Sequence, residues 1–159
     1  MKKWMVLVPA GLILIILAFS ITVYSVARGP LRDSIDQAET KAGDELQLSS
    51  IEESYQYNST KAYTVFVGTD ENQDDVIVFV PEDNEEEIVK RKMDEGISED
   101  EAIAMLNQED APSKIMSSKL GLESEGPVWE IIYLDEEETL NYYYVLFDSG
   151  EWWRTIRNL

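Results

Sequence analysis

The chain of 159 residues contains no cysteine and no histidine. Without cysteine it can form no disulfide, no thiolate nucleophile, no zinc ribbon and no thiol-linked lipid anchor. Without histidine it lacks the commonest general base and the commonest transition-metal ligand. Because these absences exclude much of familiar enzyme chemistry, we expect a protein that is not an enzyme, with no catalytic residues, no cofactor and no resident metal.

Positive charge is also scarce. The sequence has 13 lysines and arginines against 32 aspartates and glutamates, which gives a net charge of −19. Binding to nucleic acid needs clustered basic residues, so we expect no DNA or RNA partner. The simplest interpretation of the acidity is a solvated surface that resists aggregation.

One long apolar stretch occupies residues 1–28. Lys2 and Lys3 precede it, and residues 4–27 carry no charge. As a helix this run would extend about 36 Å, which exceeds the roughly 30 Å of a bilayer core. We therefore predict that the chain contacts the cell membrane through residues 4–27, as a single-pass anchor with a cytoplasmic N-terminus, and that residues 29–159 are extracytoplasmic. A cleaved signal peptide ending near "SVA" is the alternative, although the run is longer than the usual signal core.

The part after the apolar stretch contains two similar hairpin patterns, with an offset of 66 residues. The first, "YTVFVGTDENQDDVIVFVP", begins at Tyr63, and the second, "WEIIYLDEEETLNYYYVLF", begins at Trp129. In each, an apolar run is followed by an acidic turn and a second apolar run, as in a β-hairpin. The acidic turn "DENQDD" also resembles a calcium-binding loop. We interpret it as a turn, because Asp75 and Pro81 stand where such a loop needs glycine and glutamate.

A helix is predicted ahead of the second hairpin, in "DEGISEDEAIAML". Ser98 is a good N-cap, and Glu101 three residues later completes a capping box. The acids that follow Ser98 also suit the positive end of a helix dipole. The helix should extend from about 99 to 109 and end before Pro112. A calcium site is the alternative for these acids, because calcium takes oxygen ligands and needs no histidine.

Two repeated units follow from the same offset. It places a second helix at about 33–43, and strands are expected at 50–58, at 113–122 and after each hairpin, in "EEEIVKRKMDEG" and "GEWWRTIRNL". The predicted fold class is α+β, with a transmembrane helix in residues 1–28 and two tandem domains at 29–95 and 96–159. Each domain would be one helix packed on an antiparallel sheet of about four strands, and domains this small would lean on each other.

The sequence resembles the TseB family of Gram-positive bacteria, also called YpmB, over nearly its whole length. The resemblance lies in "YTVFVGTDENQDDVIVFVPED", "EGISEDEAIAMLNQE" and "PVWEIIYLDEEETLNYYYVLFDSGEWWRTI". The second unit is similar to a PepSY-type domain, with a D-x-x-G-E turn from Asp148 to Glu151. The resemblance implies two cystatin-like units and a regulator of cell wall elongation that contacts an elongation-specific penicillin-binding transpeptidase. It implies no catalytic motif.

Two groups of residues are candidates for partner binding. The stretch "NYYYVLF" is apolar on both faces of its strand, so either the other unit or a partner protein must cover the second face. Tyrosine and tryptophan are favoured interface anchors, and the aromatic candidates are Tyr142, Tyr143, Tyr144, Trp152 and Trp153. The basic run Lys90, Arg91 and Lys92 is either a solvated strand edge or a docking site for an anionic polymer or acidic partner.

Three functions compete at this point. The first is a membrane-anchored extracytoplasmic regulator that binds a penicillin-binding transpeptidase. The second is a PepSY-type inhibitor or chaperone-like module that acts on a secreted peptidase. The third is a hydrolase with paired carboxylates, for which Glu130 is the best-placed acid because it interrupts an apolar strand.

Overall fold

The computed structural model describes residues 2–42, 47–83 and 85–157. The chain divides into two compact units, residues 1–37 and residues 38–159. In chain order the elements are α1 (Lys2–Ala42), β1 (Leu48–Asn58), β2 (Ala62–Asp70), β3 (Asp75–Pro81), β4 (Val89–Lys92), a 3₁₀ turn (Met93–Glu95), α2 (Glu99–Glu109), β5 (Lys114–Glu123), β6 (Gly126–Leu134), β7 (Leu140–Leu146) and β8 (Trp152–Ile156).

The N-terminal unit is helical, and here the predicted transmembrane helix is corrected. No helix among the described residues is both long enough and apolar enough to cross a membrane. The prediction rested on the absence of charge along 4–27. However, α1 does not end there, but continues to Ala42 and carries the exposed acids Asp33, Asp36 and Glu39. The apolar run is therefore one part of a longer helix with a charged end.

Two antiparallel four-stranded sheets form most of the second unit. The first has the order β1-β2-β3-β4 and the second the order β5-β6-β7-β8. The predicted count of four strands in each sheet is confirmed. The predicted pair of cystatin-like units, each with its own helix, is corrected to two antiparallel four-stranded sheets with few helices, which share one core. The boundary predicted between residues 95 and 96 stays a prediction.

One hydrophobic core joins both sheets and α2, because apolar side chains alternate along the strands and one set of each sheet converges on it. Its buried members are Tyr55, Tyr57, Tyr63, Val65, Ile77, Phe79, Ala102, Leu106, Leu120, Trp129, Ile131, Tyr133, Tyr143, Val145 and Phe147. The opposite set of the first sheet is buried as well, as Phe66, Val76, Val78 and Val80 show. Strand β3, which is apolar on both faces, is therefore buried on both faces.

Helix α2 begins where the sequence predicts. Ser98 Oγ accepts a hydrogen bond from the Glu101 backbone N–H, and Glu101 accepts one from the Ser98 backbone N–H at 2.8 Å. The bond from the Ser98 N–H, together with one that the Ser98 hydroxyl donates to Glu101 Oε2 at 2.8 Å, lowers the pKa of the Glu101 carboxyl below its usual value. Ala102 and Leu106 enter the core, so the acids before them mark the start of a helix.

The two hairpin turns have the same geometry. Asp70 Oδ1 accepts hydrogen bonds from the backbone N–H groups of the second and fourth residues after it, and Asp135 Oδ1 does the same. The third residue after each aspartate has a positive φ, 67° at Gln73 and 60° at Glu138. The turns correspond at an offset of 65, one less than the predicted 66. The interpretation of "DENQDD" as a turn is confirmed.

The sheets meet where β1 and β5 lie side by side. Tyr55 donates its hydroxyl hydrogen to the Leu120 carbonyl at 2.9 Å, and Lys119 Nζ lies 4.5 Å from the centre of the Tyr55 ring. Gly121 faces the ring of Tyr57 so closely that a Cβ at this position would overlap the ring. A side chain larger than hydrogen at Gly121 would therefore push the two sheets apart.

Candidate functional site

The basic run on β4 is largely occupied by ion pairs. Lys90 Nζ lies 3.6 Å from Asp70 Oδ2, and Lys92 pairs with Asp74 of the same hairpin turn. Arg91 donates a hydrogen bond to the Lys90 carbonyl at 2.9 Å. Burial acts to raise the pKa of Asp70, but the hydrogen bonds from the Asp74 and Asn72 backbone N–H groups outweigh it and lower that pKa. The lysines of β4 thus neutralise part of the acidic turn between β2 and β3.

The three tyrosines of β7 point to alternate faces. Tyr143 is buried in the core, and burial together with Glu109 raises its pKa to about 12. Tyr142 and Tyr144 lie on the opposite face with their rings stacked, at a centroid distance of 6.4 Å and an angle of 15°. Tyr144 is buried, whereas Tyr142 is partly exposed. Of the three, Tyr142 is therefore the most accessible to a partner.

Trp153 and Arg154 extend this aromatic face on β8. The Trp153 ring meets the Tyr144 ring edge-on, at 5.7 Å and 86°. The Arg154 guanidinium carbon lies 4.6 Å from the centre of the Tyr144 ring and 4.5 Å from that of the Trp153 ring. Such cation–π contacts hold the arginine against the rings.

A β-bulge explains why two consecutive residues of β8 reach the same ring. Arg154 pairs with Tyr144, but the next pair joins Trp152 to Val145, so Trp153 is the extra residue. A bulge disturbs the strict alternation of side chains. Sequence reasoning missed Arg154, because the pattern of an edge strand does not reveal a bulge.

Trp152 is the exposed aromatic residue of the set. Its side chain is 51% exposed, and its Nε1 donates a hydrogen bond to Thr155 Oγ1 at 3.0 Å. It lies on β8, which ends the strand order of the second sheet. The structure thus places Tyr142, Tyr144 and Trp153 together, and leaves Tyr143 in the core and Trp152 in solvent.

Glu130 is hydrogen-bonded within the aromatic face. Tyr144 donates its hydroxyl hydrogen to Glu130 Oε2 at 2.8 Å. Burial raises the pKa of Glu130, although the Tyr144 hydrogen bond and the charge of Arg154 act against the increase. A carboxyl with a raised pKa could in principle donate a proton. In this site, however, its visible role is to accept the Tyr144 hydroxyl.

A second carboxylate, Glu123, is buried between the sheets. Tyr57 donates its hydroxyl hydrogen to Glu123 Oε1 at 2.7 Å, and Arg154 Nη2 lies 3.9 Å from the same oxygen. Burial and the hydrogen bond to Glu123 raise the pKa of Tyr57. Arg154 thus links the aromatic face of the second sheet to the junction with the first. Neither Tyr57 nor Glu123 was a sequence candidate, because nothing local pairs two residues so far apart.

Two further features bear on small ligands. A cavity of about 100 Å³ is lined by Thr60, Lys61, Tyr63, Leu122, Glu123 and Ser124, whereas ligand pockets usually measure roughly 300–1,000 Å³. Within residues 2–42, 47–83 and 85–157, no group of three or more acidic side chains is placed to hold a metal ion.

Comparison with known proteins relates most of the chain to one family. Residues 37–81 match the model of the cell wall elongation regulator TseB-like domain. The probable cell wall elongation regulator TseB of Bacillus subtilis (strain 168) is 30% identical over 138 residues, which cover 87% of this chain and 86% of that protein. The solved structure of the YpmB protein from Bacillus subtilis matches with a TM-score of 0.71 and 30% identity, over 77% of this chain and 95% of that one.

Proposed function

We propose that this chain, which belongs to the TseB-like family of cell wall elongation regulators, acts by non-catalytic contact with an elongation-specific penicillin-binding transpeptidase. The related protein is named as a regulator, and a regulator of wall growth works on other proteins. A transpeptidase of elongation is the partner that the family resemblance implies. The proposal concerns the mode of action and the partner, beyond the regulatory role of the family.

The accessible aromatic residues at β7 and β8 are the observation that carries the proposal. Trp152 is half exposed, and Tyr142 and Trp153 are partly exposed on the same two strands. Tryptophan and tyrosine contribute much of the binding energy in protein interfaces. Glu130, the acid best placed for catalysis, is instead engaged with Tyr144. These features support binding to a partner protein rather than catalysis.

We also propose that residues 29–159 act outside the cytoplasm. The process named for the family is elongation of the cell wall, which is assembled beyond the cell membrane. Added protease should digest this part of the chain in intact protoplasts while a cytoplasmic marker survives. Survival of the chain alongside the marker would contradict this location.

Binding to the purified extracellular part of an elongation transpeptidase tests the proposed contact. The full chain, immobilised, should bind this protein saturably, with a Kd in the micromolar range or below. The matched control is the extracellular part of a cell-division transpeptidase, which should bind weakly or not at all. Absence of binding to the elongation enzyme, or equal binding to both, would contradict the proposal.

A further inference from the structure

The two sheets have four terminal strands, and three of them carry contacts or charges that oppose pairing over part of their length. Strands β1 and β5 lie against each other, through the bond from Tyr55 to the Leu120 carbonyl and the bond from Tyr57 to Glu123. Strand β4 has only four residues, and three of them are basic. Short length and charge are the usual means of preventing a sheet edge from pairing with another chain.

Strand β8 is also short, with five residues, but its sequence, Trp152–Ile156, contains neither lysine nor proline. Among the described strands it pairs with β7 alone. Its one basic residue, Arg154, is held against the Tyr144 and Trp153 rings, and its most exposed side chain is Trp152. An unprotected edge next to an exposed tryptophan is suited to accept an added strand.

The charge around β8 indicates the kind of segment that would pair with it. Asp148 and Glu151 are exposed in the turn before the strand. At the other end, Asp110 lies 3.1 Å from Arg157 in an ion pair, which places the acidic end of α2 next to the end of β8. The chain as a whole carries a net charge of −19. Because Arg157 already pairs with Asp110, the acids of the turn before β8 and the net charge of the chain are what favour a positively charged partner.

We propose that β8 binds an extended, lysine- or arginine-rich segment of a partner protein as a fifth strand of the second sheet. Main-chain hydrogen bonds to the open side of β8 would supply affinity. The acids of the turn before β8 would select basic side chains, and the exposed Trp152 ring can receive a cation on its face. This inference rests on the proposed function, for which it specifies the surface and the chemistry of the partner segment.

The test compares two lysine substitutions at residues of equal exposure in the full chain. Trp152 on β8 and Met116 on β5 are each 51% exposed. Trp152→Lys removes the aromatic ring and places a protecting charge on the open edge. Met116→Lys adds the same charge to the same sheet away from β8. Trp152→Lys should weaken binding of the elongation transpeptidase about tenfold or more, equivalent to ~1.4 kcal/mol, and Met116→Lys should leave it unchanged.

Amide hydrogen exchange gives the second readout. Exchange in residues 152–156 should slow on binding, because the outward-facing N–H groups of β8 acquire carbonyl partners. Normal binding by both variants, with no slowing of exchange in β8, would overturn this inference and leave the proposed function intact.

Synthetic peptides separate the inference from the identity of the partner. Two short peptides of alternating threonine and valine would differ only in lysine or glutamate at the same positions. The lysine peptide should slow exchange in β8 of the full chain and the glutamate peptide should not, even if the transpeptidase does not bind. Equal effects of the two peptides, or none from the lysine peptide, would overturn the proposed edge recognition.

Discussion

Tyr57 and Glu123 stand 66 positions apart and meet across the junction of the two sheets, with the tyrosine hydroxyl 2.7 Å from the carboxylate. A second pair, Glu53 and Lys119, crosses the same junction as an ion pair at 3.9 Å. Side chains of β1 thus reach β5 at more than one point, and these contacts between residues far apart in the chain join the two sheets.

The hydroxyl of Tyr57 should contribute measurably to stability. Tyr57→Phe leaves the buried Glu123 carboxylate without this donor, so we expect the free energy of unfolding to fall by about 1.5–3 kcal/mol. Denaturant unfolding measures the change. Tyr142→Phe is the matched control, because it removes a hydroxyl from a partly exposed ring, and it should change stability by less than about 0.5 kcal/mol. Equal effects of both changes would contradict a special role for the junction.

Gly121→Ala should destabilise the junction through steric overlap with Tyr57. The added Cβ would meet the aromatic ring, so the strands must separate or the ring must move. Overpacking of this kind usually costs about 1–3 kcal/mol. If the ring is the obstacle, combining Gly121→Ala with Tyr57→Ala should cost less than the sum of the single changes. Additive losses in this double-mutant cycle would show that the two residues do not interact.

Loss of the α2 N-cap should weaken the helix. Ser98→Ala removes the oxygen that accepts the Glu101 N–H, and we expect a loss of about 1 kcal/mol, or a decrease in Tm of about 2–4 °C. Ser117→Ala on β5 is the control and should be close to neutral. A similar Tm for both variants would count against the cap.

The Glu101 carboxylate should make the free energy of unfolding depend on pH in the acidic range. Its pKa is lowered in the folded chain, so its stabilising contribution is present above the unfolded pKa of about 4.3 and is lost as the pH falls through the lower, folded value. Glu101→Gln can keep the side-chain acceptor but cannot titrate. The variant should therefore lose less stability than the original chain when the pH is lowered below about 4. Parallel pH profiles for the two proteins would contradict this.

Glu130 should affect the pH dependence of stability in the opposite direction. Its pKa is raised in the folded chain, so its contribution is most favourable below the unfolded pKa and is lost as the pH rises through the folded value. Glu130→Gln keeps an acceptor for the Tyr144 hydroxyl and removes the charge. At neutral pH its free energy of unfolding should equal or exceed that of the original chain. It should also retain full regulatory activity in cells, whereas a loss of function in a stable Glu130→Gln variant would revive the hydrolase hypothesis.

Local signals accounted for most of the secondary structure. The capping box of Ser98 and Glu101 lies within one helical turn, and the strands of each hairpin show their alternation directly in the sequence. Both features depend on residues close together in the chain, which is why they could be predicted.

The features that the sequence did not predict depend on contacts between distant residues or on a single inserted residue. No local pattern joins Tyr57 to Glu123, and the bulge at Trp153 that brings Arg154 onto the Tyr144 ring leaves no sequence signal. The helix boundary predicted near residue 28 was wrong, because helical propensity continued through the acidic residues that follow. The common core also depends on how the two sheets pack, which the repeat alone did not specify.

Photo-crosslinking in growing cells tests the central claim most directly. A photoreactive residue would replace Trp152 in one full-length variant and Met116 in another, and the products would be examined with antibodies against the elongation and division transpeptidases. The account predicts a crosslink to the elongation transpeptidase from position 152, and none from position 116. Absence of that crosslink at position 152, with the chain folded and present at its normal level, would contradict it.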